Sequence, residues 1–154
     1  MTLFLSTYIN KADKKGRVSV PARYRDELAQ QGLDSVILFP SYVHQAIEAC
    51  GRDFLIMLQE TLGAFDPFDE VRDDLAVSIM SDCVELSIDG EGRIVMPRQL
   101  MEHAEIAGQV AFVGQGDRFQ LWEPIAAETF KRQSRERAGR HLGRLRPNRR
   151  TSEV

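Results

Sequence analysis

The sequence is poor in the residues that build metal sites and disulfide frameworks. It has only two cysteines in 154 residues, Cys50 and Cys83, which stand far apart and outside any Cys-x-x-Cys pattern. That spacing argues against a structural zinc site and against a disulfide-bonded secreted protein. We therefore expect both thiols to be reduced packing residues, and we predict no metal and no cofactor.

Long apolar segments are also missing. No stretch approaches the roughly 18 consecutive apolar residues of a membrane-spanning helix, and the N-terminus has no basic segment followed by an apolar run. These absences argue against a membrane span and a signal peptide, and they predict a cytoplasmic protein. The composition, with 43% hydrophobic and 8% aromatic residues, is typical of a globular chain.

No arrangement of residues typical of an enzyme is found. The three histidines, His44, His103 and His141, occur in unrelated contexts, without a nucleophile motif, a phosphate-binding loop or metal-ligand spacing. Asp13 and Asp89 could form a pair of catalytic carboxylates, but an arginine four residues after each would hold it ionised. We predict that the protein is not an enzyme.

Charge is unevenly distributed along the chain. Residues 1–130 carry 11 Lys and Arg against 21 Asp and Glu, a net charge of −10. Residues 131–154 carry 9 against 2, a net charge of +7. A second basic cluster, of net charge +5, lies inside the acidic body between Lys11 and Arg25. Segregated charge of this kind indicates a partner of opposite sign.

The sequence contains one motif twice. DKKGRVSVP, from Asp13 to Pro21, returns 76 residues later as DGEGRIVMP, from Asp89 to Pro97, and the same offset matches Gly32 with Gly108. With one deletion, three residues of a following hairpin are matched as well: Gln45, Ile47 and Glu48 with Gln120, Trp122 and Glu123. Two copies are too few for a solenoid, so they predict one compact unit built from two related halves.

Each half is predicted to contain the same elements. Alternating apolar residues and turn residues indicate two short strands around the motif, a short helix after its proline, and a β-hairpin. Between the halves, apolar residues at helical spacing predict a helical hairpin, with Asp66 capping and Pro67 opening its second helix. The predicted segments are a first half, a helical connector, a second half, and a C-terminal helix with an Arg-rich tail: residues 1–52, 53–80, 81–126 and 127–154. The end of the tail, residues 144–154, is predicted to be disordered.

Three stretches contain and extend the two motifs: FLSTYINKADKKGRVSVPARYR in the first half, and CVELSIDGEGRIVMP and GQGDRFQLWEP in the second. Together they resemble the MraZ family. The resemblance covers about residues 3–130, and two Asp-x-x-x-Arg motifs carry it, each with Gly before Arg and Pro four residues after Arg. It implies a mainly β fold with flanking helices, in which two pseudo-symmetric AbrB-like halves form a swapped-hairpin, double-split β-barrel.

The resemblance also implies a function. Such a protein is expected to be a sequence-specific transcriptional regulator that binds repeated G-rich sites in double-stranded DNA upstream of the division and cell-wall gene cluster. It is expected to act chiefly as a repressor, including of its own promoter. It is further expected to form a homo-oligomeric ring, an octamer or larger, on the nucleoid and without a membrane partner. The first-half hairpin, FPSYVHQAIEA, departs from the Gly-rich turn of the family pattern.

The first motif is the predicted DNA-binding surface. Lysines suit phosphates, and the planar guanidinium of an arginine can donate two bonds to guanine, a role that we assign to Arg17. The predicted DNA-binding residues are Lys11, Lys14, Lys15, Arg17, Arg23 and Arg25. The predicted structural residues of the two motifs are Asp13, Gly16, Asp89, Gly92 and Arg93. Because the second loop has no lysine and one extra acid, we assign DNA contact to the first half and barrel closure to the second.

Simpler interpretations remain open at this point. Both Asp–Arg pairs could be ion pairs or turn-stabilising hydrogen bonds that recur because the halves share a fold. Lys14 and Lys15 could be solvated turn residues, and the Arg-rich tail could be a solubilising segment or bind DNA nonspecifically. The alternative function is that of an AbrB-like antitoxin that binds DNA and a protein toxin. An antitoxin would need a tail with alternating apolar anchors, which this tail does not have.

Overall fold

A computed structural model describes residues 2–145 in two compact units, the first ending at Pro124 and the second beginning at Ile125. Strands and short helices alternate along the first unit, whose elements are β1 (Thr7–Lys11), β2 (Arg17–Ser19), α1 (Ala22–Gln30), β3 (Ser35–Pro40), β4 (Ile47–Cys50), α2 (Arg52–Leu62), α3 (Glu70–Asp82), β5 (Val84–Ser87), β6 (Arg93–Val95), α4 (Arg98–His103), β7 (Gln109–Gly114) and β8 (Phe119–Trp122). Helix α5 (Pro124–His141) and a short 3₁₀ turn (Leu142–Arg144) follow.

The main sheet shows that the two halves are related. Its six strands lie in the order β1-β7-β8-β4-β3-β5, and exchanging each strand with its counterpart in the other half returns the same order reversed. The first strand of each half pairs with the hairpin of the other half, as Tyr8 with Phe112 and Val36 with Leu86 illustrate. The predicted mainly β fold with flanking helices is therefore confirmed. Among the described strands this sheet is open, ending at β1 and β5, and the closed barrel stays a prediction.

The two motif strands form a sheet of their own. β2 and β6 are antiparallel, and Val18 lies opposite its counterpart Ile94. Both side chains are buried, at 1% and 2% exposure, while Ser19 and Val95 face outward. This alternation of buried and exposed side chains is that of a strand with one buried face. The pairing of β2 with β6 places the two motifs side by side.

Side chains from both halves fill one core. Tyr24 of α1 lies fully buried with its ring 4.6 Å from that of Phe119 and 5.5 Å from that of Phe4. Its hydroxyl donates a hydrogen bond to the carbonyl oxygen of Ser6 at 2.6 Å, so the polar end of the ring is satisfied. The sequence pattern predicts that Tyr24, Leu28 and Ala29 of α1 face inward; Tyr24 and Leu28 are buried, whereas Ala29 is exposed.

The structural match between the halves differs from the sequence match beyond the motif. Gly32 ends α1 with φ 75°, and Leu33 N–H donates to the carbonyl of Leu28. In the second half Glu105, φ 53°, and Gly108, φ 60°, both have positive φ, but the equivalent bond, from Ile106 N–H to the carbonyl of Met101, follows Glu105. Gly32 therefore corresponds to Glu105, and its match with Gly108 was wrong. The left-handed turn does not strictly require glycine, which is why glycine alone is a poor alignment marker here.

The hairpins also align differently from the prediction. Glu48 of β4 lies opposite Gln120 of β8, and the pairs on either side, Ile47 with Leu121 and Ala49 with Phe119, exchange when the halves are exchanged. Glu48 is thus the counterpart of Gln120 and not of Glu123. The two hairpin loops differ in length, so a single deletion could not bring these strands into register.

The connector is a helical hairpin formed by α2 and α3. Its inner side packs on the sheet through a cluster that includes Ile37, Cys50 and Phe54. The cap of α3 is Asp69, whose carboxylate accepts from the backbone N–H groups of Val71 and Arg72, so the predicted cap Asp66 was wrong. Asp66 instead accepts a backbone bond from Asp69 N–H, in a turn that has to finish before the helix begins.

The predicted cysteine roles agree with the structure. Cys50 is buried and Cys83 half-buried, and both are free thiols in the cluster beneath the connector. Burial raises the pKa of Cys50 to about 12, which makes that thiol unreactive.

The C-terminal unit is described by itself. Its helix α5 is predominantly polar and basic, and the segment predicted to be disordered lies outside the described residues apart from Arg144 and Leu145. Across residues 2–145, no helix combines the length and the apolar character needed to cross a membrane.

Candidate nucleic-acid interface

The first motif forms a tight turn organised by Asp13. Its carboxylate accepts hydrogen bonds from the backbone N–H groups of Lys15 and Arg17, both at 2.9 Å, and from Arg17 Nε at 2.7 Å. The backbone of Asp13 is also bonded to Arg17 and Gly16, at 3.0 Å each. The turn therefore fixes the direction in which the Arg17 side chain leaves the backbone.

The second motif repeats this geometry around Asp89. The carboxylate accepts from the backbone N–H groups of Glu91 and Arg93 at 2.8 and 3.0 Å, and from Arg93 Nε at 3.2 Å. Both Asp–Arg pairs are thus ion pairs within hydrogen-bonded turns. The recurrence of this geometry follows from the shared fold of the halves.

These bonds lower the pKa of both aspartates. For Asp13 the backbone N–H of Arg17 is the largest cause, partly opposed by desolvation, and the side chain of Arg17 adds to it. For Asp89 the backbone N–H of Arg93 has the same leading role. Both carboxylates therefore stay ionised to a lower pH than an ordinary aspartate does.

A pH dependence of stability follows from these shifts. A pKa that folding lowers stabilises the fold above the ordinary aspartate value of 3.8, and this stabilisation is lost as the pH falls through the lower folded value. We expect the midpoint of thermal unfolding to fall as the pH drops below about 4. The Asp13→Asn, Asp89→Asn double variant should show a flatter pH profile between pH 5 and pH 2, measured by circular dichroism. An unchanged slope in that variant would contradict the assignment.

Each turn is fastened to the strand of the other. Met96 N–H donates to the carbonyl of Gly16 at 2.8 Å, and Val20 N–H donates to the carbonyl of Gly92 at 2.9 Å. Gly16 has φ 82°, and a Cβ atom there would lie 3.1 Å from the Met96 carbonyl oxygen. Glycine is needed at this position for both reasons. The two motifs therefore form one rigid platform.

The platform is electrostatically asymmetric. Lys14 and Lys15 of the first turn are exposed, and the equivalent residues of the second turn are Gly90 and Glu91. Glu91 adds an ion pair to Arg93, through Nη2 at 3.3 Å, whereas the only ion pair of Arg17 within residues 2–145 is the one with Asp13. The side chain of Arg17 is 38% exposed. The first turn can thus present a cationic surface that the second cannot.

Residues 79–143 match the family model described as "MraZ protein, putative antitoxin-like". A protein named transcriptional regulator MraZ from Pelagibacter ubique (strain HTCC1062) is 48% identical over 136 residues, 88% of this chain and 88% of that protein. The chain belongs to the MraZ family. Proteins of the same name from Rickettsia bellii (strain OSU 85-389) and Rickettsia rickettsii (strain Sheila Smith) are 46% and 44% identical, over 80% and 84% of this chain and 83% and 87% of theirs.

Membership of the MraZ family confirms the resemblance found in the sequence. It also agrees with the prediction that the protein is not an enzyme, since the family is one of transcriptional regulators. In the described part of the chain, no three His, Cys, Asp or Glu side chains are grouped as metal ligands would be.

The lysine turn opens onto a cleft of about 830 Å³ between the first motif and α4. Lys14 and Lys15 lie on one wall, and Arg98 of α4 lies on the other. Arg98 is 92% exposed and pairs with Glu102 at 3.4 Å. Sequence reasoning did not single out Arg98, although its place directly after Pro97 puts it at the start of a short helix beside the motif. The acids Glu102 and Glu105 also line the cleft.

The remaining predicted basic residues occupy different surroundings. Lys11 is exposed at the end of β1. Arg23 is exposed beside Leu3 and Glu27, in a separate depression. Arg25 is half-buried, its Nε donates to the carbonyl of Val20 at 3.1 Å, and its guanidinium packs directly on Gly92. Arg25 is therefore part of the packing between α1 and the second turn. It covers the second turn at the place where the first turn opens onto the cleft.

Proposed function

We propose that this protein regulates transcription by binding double-stranded DNA through the turn of its first motif. The observation that carries the proposal is the pairing of two exposed lysines with an arginine whose Nε is held by Asp13 at 2.7 Å. The names of its MraZ relatives, transcriptional regulators, support the same function.

The chemistry of the turn divides between affinity and sequence selection. Lys11, Lys14 and Lys15 are flexible point charges that gain affinity by displacing counterions from phosphates. Arg98 can add a further phosphate contact from the opposite wall of the cleft. Arg17 has its Nε bound to Asp13, which orients the planar guanidinium and leaves its Nη edge for the O6 and N7 acceptors of guanine. Such a residue favours guanine-rich sites.

The proposed assembly and target follow from the small DNA-contacting surface that one turn provides. A single chain offers a few cationic groups, so selectivity requires several chains on successive repeats, which raises avidity about 10² to 10⁴-fold without a new contact. We propose that a homo-oligomeric ring of eight or more chains binds repeated G-rich sites upstream of the division and cell-wall gene cluster. It represses that cluster, including its own promoter, and acts in the cytoplasm on the nucleoid. The resemblance to the MraZ family supports these details.

Electrophoretic mobility shifts across a salt series test this proposal. The probe is the DNA upstream of the protein's own gene, with a scrambled fragment as competitor. Wild type should shift the probe selectively. The Lys14→Ala, Lys15→Ala variant should bind several-fold more weakly, and the slope of log K against log salt should fall by about 1.8, because two phosphate contacts are lost.

The matched control replaces two exposed arginines of α5, Arg135→Ala and Arg137→Ala. On a short duplex with one site, where contacts between chains do not contribute, this variant should bind as wild type does. If the α5 variant loses binding and the turn variant does not, DNA contact belongs to the C-terminal helix and the proposed interface is wrong.

A further inference from the structure

The unusual first-half hairpin borders an apolar groove that the DNA interface does not use. The groove, of about 550 Å³, lies among the β3–β4 hairpin, helices α2 and α3, and the β7–β8 turn. Its apolar wall is formed by Phe39, Val43, Phe54, Met57, Leu75 and Ile79. Val43, at the hairpin tip, is 83% exposed, and Met57 and Leu75 are 40% and 39% exposed. Exposed apolar side chains that line one groove are typical of an interaction surface.

The hairpin and α3 are joined at one edge of this groove. The Tyr42 hydroxyl lies 2.8 Å from Asp82 Oδ2 and donates to the carbonyl of Ser78. Ser41 Oγ accepts from the N–H groups of Val43 and His44 at 3.2 and 3.0 Å, which closes the hairpin turn. These bonds hold Val43 in its exposed position, so the groove is a fixed feature of the fold.

The polar groups at the base of the groove are satisfied within the protein. Glu48 is bonded to Arg118 Nε at 3.0 Å and to the side chain of Gln120, and the Arg118 guanidinium lies 5.3 Å from the centre of the Phe54 ring. No polar group there needs a ligand to complete it. An occupant of the groove is therefore expected to be apolar at its contact face.

The surroundings of the groove are strongly acidic. Residues 52–82, which contain α2 and α3, carry eight Asp and Glu against two Arg, a net charge of −6. Two copies of this surface placed face to face would repel each other. An apolar partner flanked by positive charge fits it instead.

The chain itself contains such a partner at its C-terminal end. Residues 125–145 carry six Lys and Arg against two Asp and Glu, a net charge of +4. Within this basic segment, Leu142 and Leu145 are 65% and 75% exposed. Their spacing of three places both on one side of a helical turn. The segment thus combines two exposed leucines with a surplus of basic side chains.

We infer that the groove of one copy of this protein receives Leu142 and Leu145, at the end of the C-terminal helical segment 125–145, from a second copy. The leucines contact the apolar wall around Val43 and Leu75, and the arginines face the acids of α2 and α3. Groove and helix are different surfaces, so the contact is head-to-tail, the type of contact from which a ring is built when the rotation between neighbouring copies closes. This inference rests on the ring of the proposed function and names the two surfaces that would join its chains.

Two variants test the contact, one on each surface. The groove variant is Val43→Lys with Leu75→Lys, and the helix variant is Leu142→Asp with Leu145→Asp. In each, the dissociation constant of self-association should rise at least about tenfold, since each change removes apolar burial and adds a repelling charge. Light scattering after gel filtration should give masses near the 17.5 kDa of one chain. The control, Val77→Lys, changes a residue of α3 that is 59% exposed and does not line the groove, and it should assemble as wild type does.

An equimolar mixture of the two variants makes the test decisive. The groove variant retains the two leucines, and the helix variant retains an intact groove. One contact can therefore form, between the leucines of the groove variant and the groove of the helix variant. The mixture should contain heterodimers but nothing larger. Unfolding midpoints, measured by circular dichroism, would separate loss of assembly from loss of folding. A monomeric wild type at tens of micromolar, an unchanged mass in either variant, or a mixture without heterodimers would overturn the inference.

The same preparations distinguish this inference from the proposed function. Affinity for a short duplex with one site depends on the lysine turn, which all these variants retain. If single-site affinity persists while the mass is unchanged, only the assembly contact is wrong. If the helix variant loses single-site affinity and keeps its mass, the helix binds DNA and not a second copy. If wild type does not bind the duplex, the proposed function fails regardless of the masses.

Discussion

Replacing Arg17 by alanine should weaken selective DNA binding by about tenfold to a hundredfold, whereas Arg93→Ala should change it by less than about threefold. The two arginines have the same backbone geometry and each bonds its aspartate through Nε. They differ in that Glu91 also pairs with Arg93 and no acid takes that place beside Arg17. The expected difference follows from the proposed bidentate contact of Arg17 with guanine, which the proposed function does not assign to Arg93. Mobility shifts with the upstream DNA and a scrambled competitor measure it.

Arg17→Lys separates base selection from charge. Lysine keeps the positive charge but cannot reproduce the planar pair of donors, so binding to the scrambled fragment should persist while preference for the upstream DNA falls. Unfolding midpoints of Arg17→Ala and Arg93→Ala should be similar, since each removes an equivalent ion pair. If both variants lose binding equally, the arginines act only through the shape of their turns, and base contact by Arg17 is refuted.

The motif repeat made much of the fold predictable from sequence. Asp, Gly, Arg and Pro at fixed spacing define a local structure, because each acts through bonds or dihedral angles within a few residues of itself. The turn around Asp13 and its copy around Asp89 are such local structures. The alternating strands and the inward face of α1 follow equally from short-range periodicity.

Features that depend on distant pairing were predicted less well. Glu48 matches Gln120 because β4 and β8 pair across the middle of the sheet, a relation that loop lengths conceal in the sequence. The cap of α3 is Asp69 and not Asp66 for a separate, local reason, since the turn from Asp66 closes before the helix begins. In both cases several residues were locally suitable, and strand pairing or the preceding turn selected among them.

The candidate site shows the same division. The exposed lysine turn was visible as a cluster of like charge in the sequence. The place of Arg25 on Gly92 was not, because it depends on α1 lying against the turn of the other half. Arg98 joins the cleft for the corresponding reason, since α4 lies against the first turn. Which basic residues share a surface is decided by the exchange of elements between halves.

The strongest effect on stability is expected from Glu48→Ala, which should lower the free energy of unfolding by about 3 kcal/mol. Glu48 is 7% exposed in the middle of the main sheet, where its carboxylate accepts from Arg118 Nε at 3.0 Å and from the side chain of Gln120. Gln120 in turn accepts from Trp122 Nε1 at 2.9 Å. Truncation leaves a guanidinium without its buried counter-charge and an amide without its acceptor. The partial exposure of Arg118, 32%, places the cost at the lower end for a broken buried pair.

Urea unfolding monitored by Trp122 fluorescence measures this cost. Glu48→Gln retains an oxygen acceptor but not the charge, so it should lose about half as much, and Glu85→Ala on the exposed side of β5 should stay within about 0.5 kcal/mol of wild type. A loss below about 1 kcal/mol in Glu48→Ala would show that the network contributes little.

Glu48 and Gln120 occupy equivalent positions in the two halves and lie opposite each other in the main sheet. A large loss would therefore mean that the fold is stabilised at this point by a difference between the two halves, a carboxylate in one and an amide in the other. Two glutamates there would repel, and two glutamines could not neutralise Arg118, so the residues facing each other across the middle of the sheet have to differ.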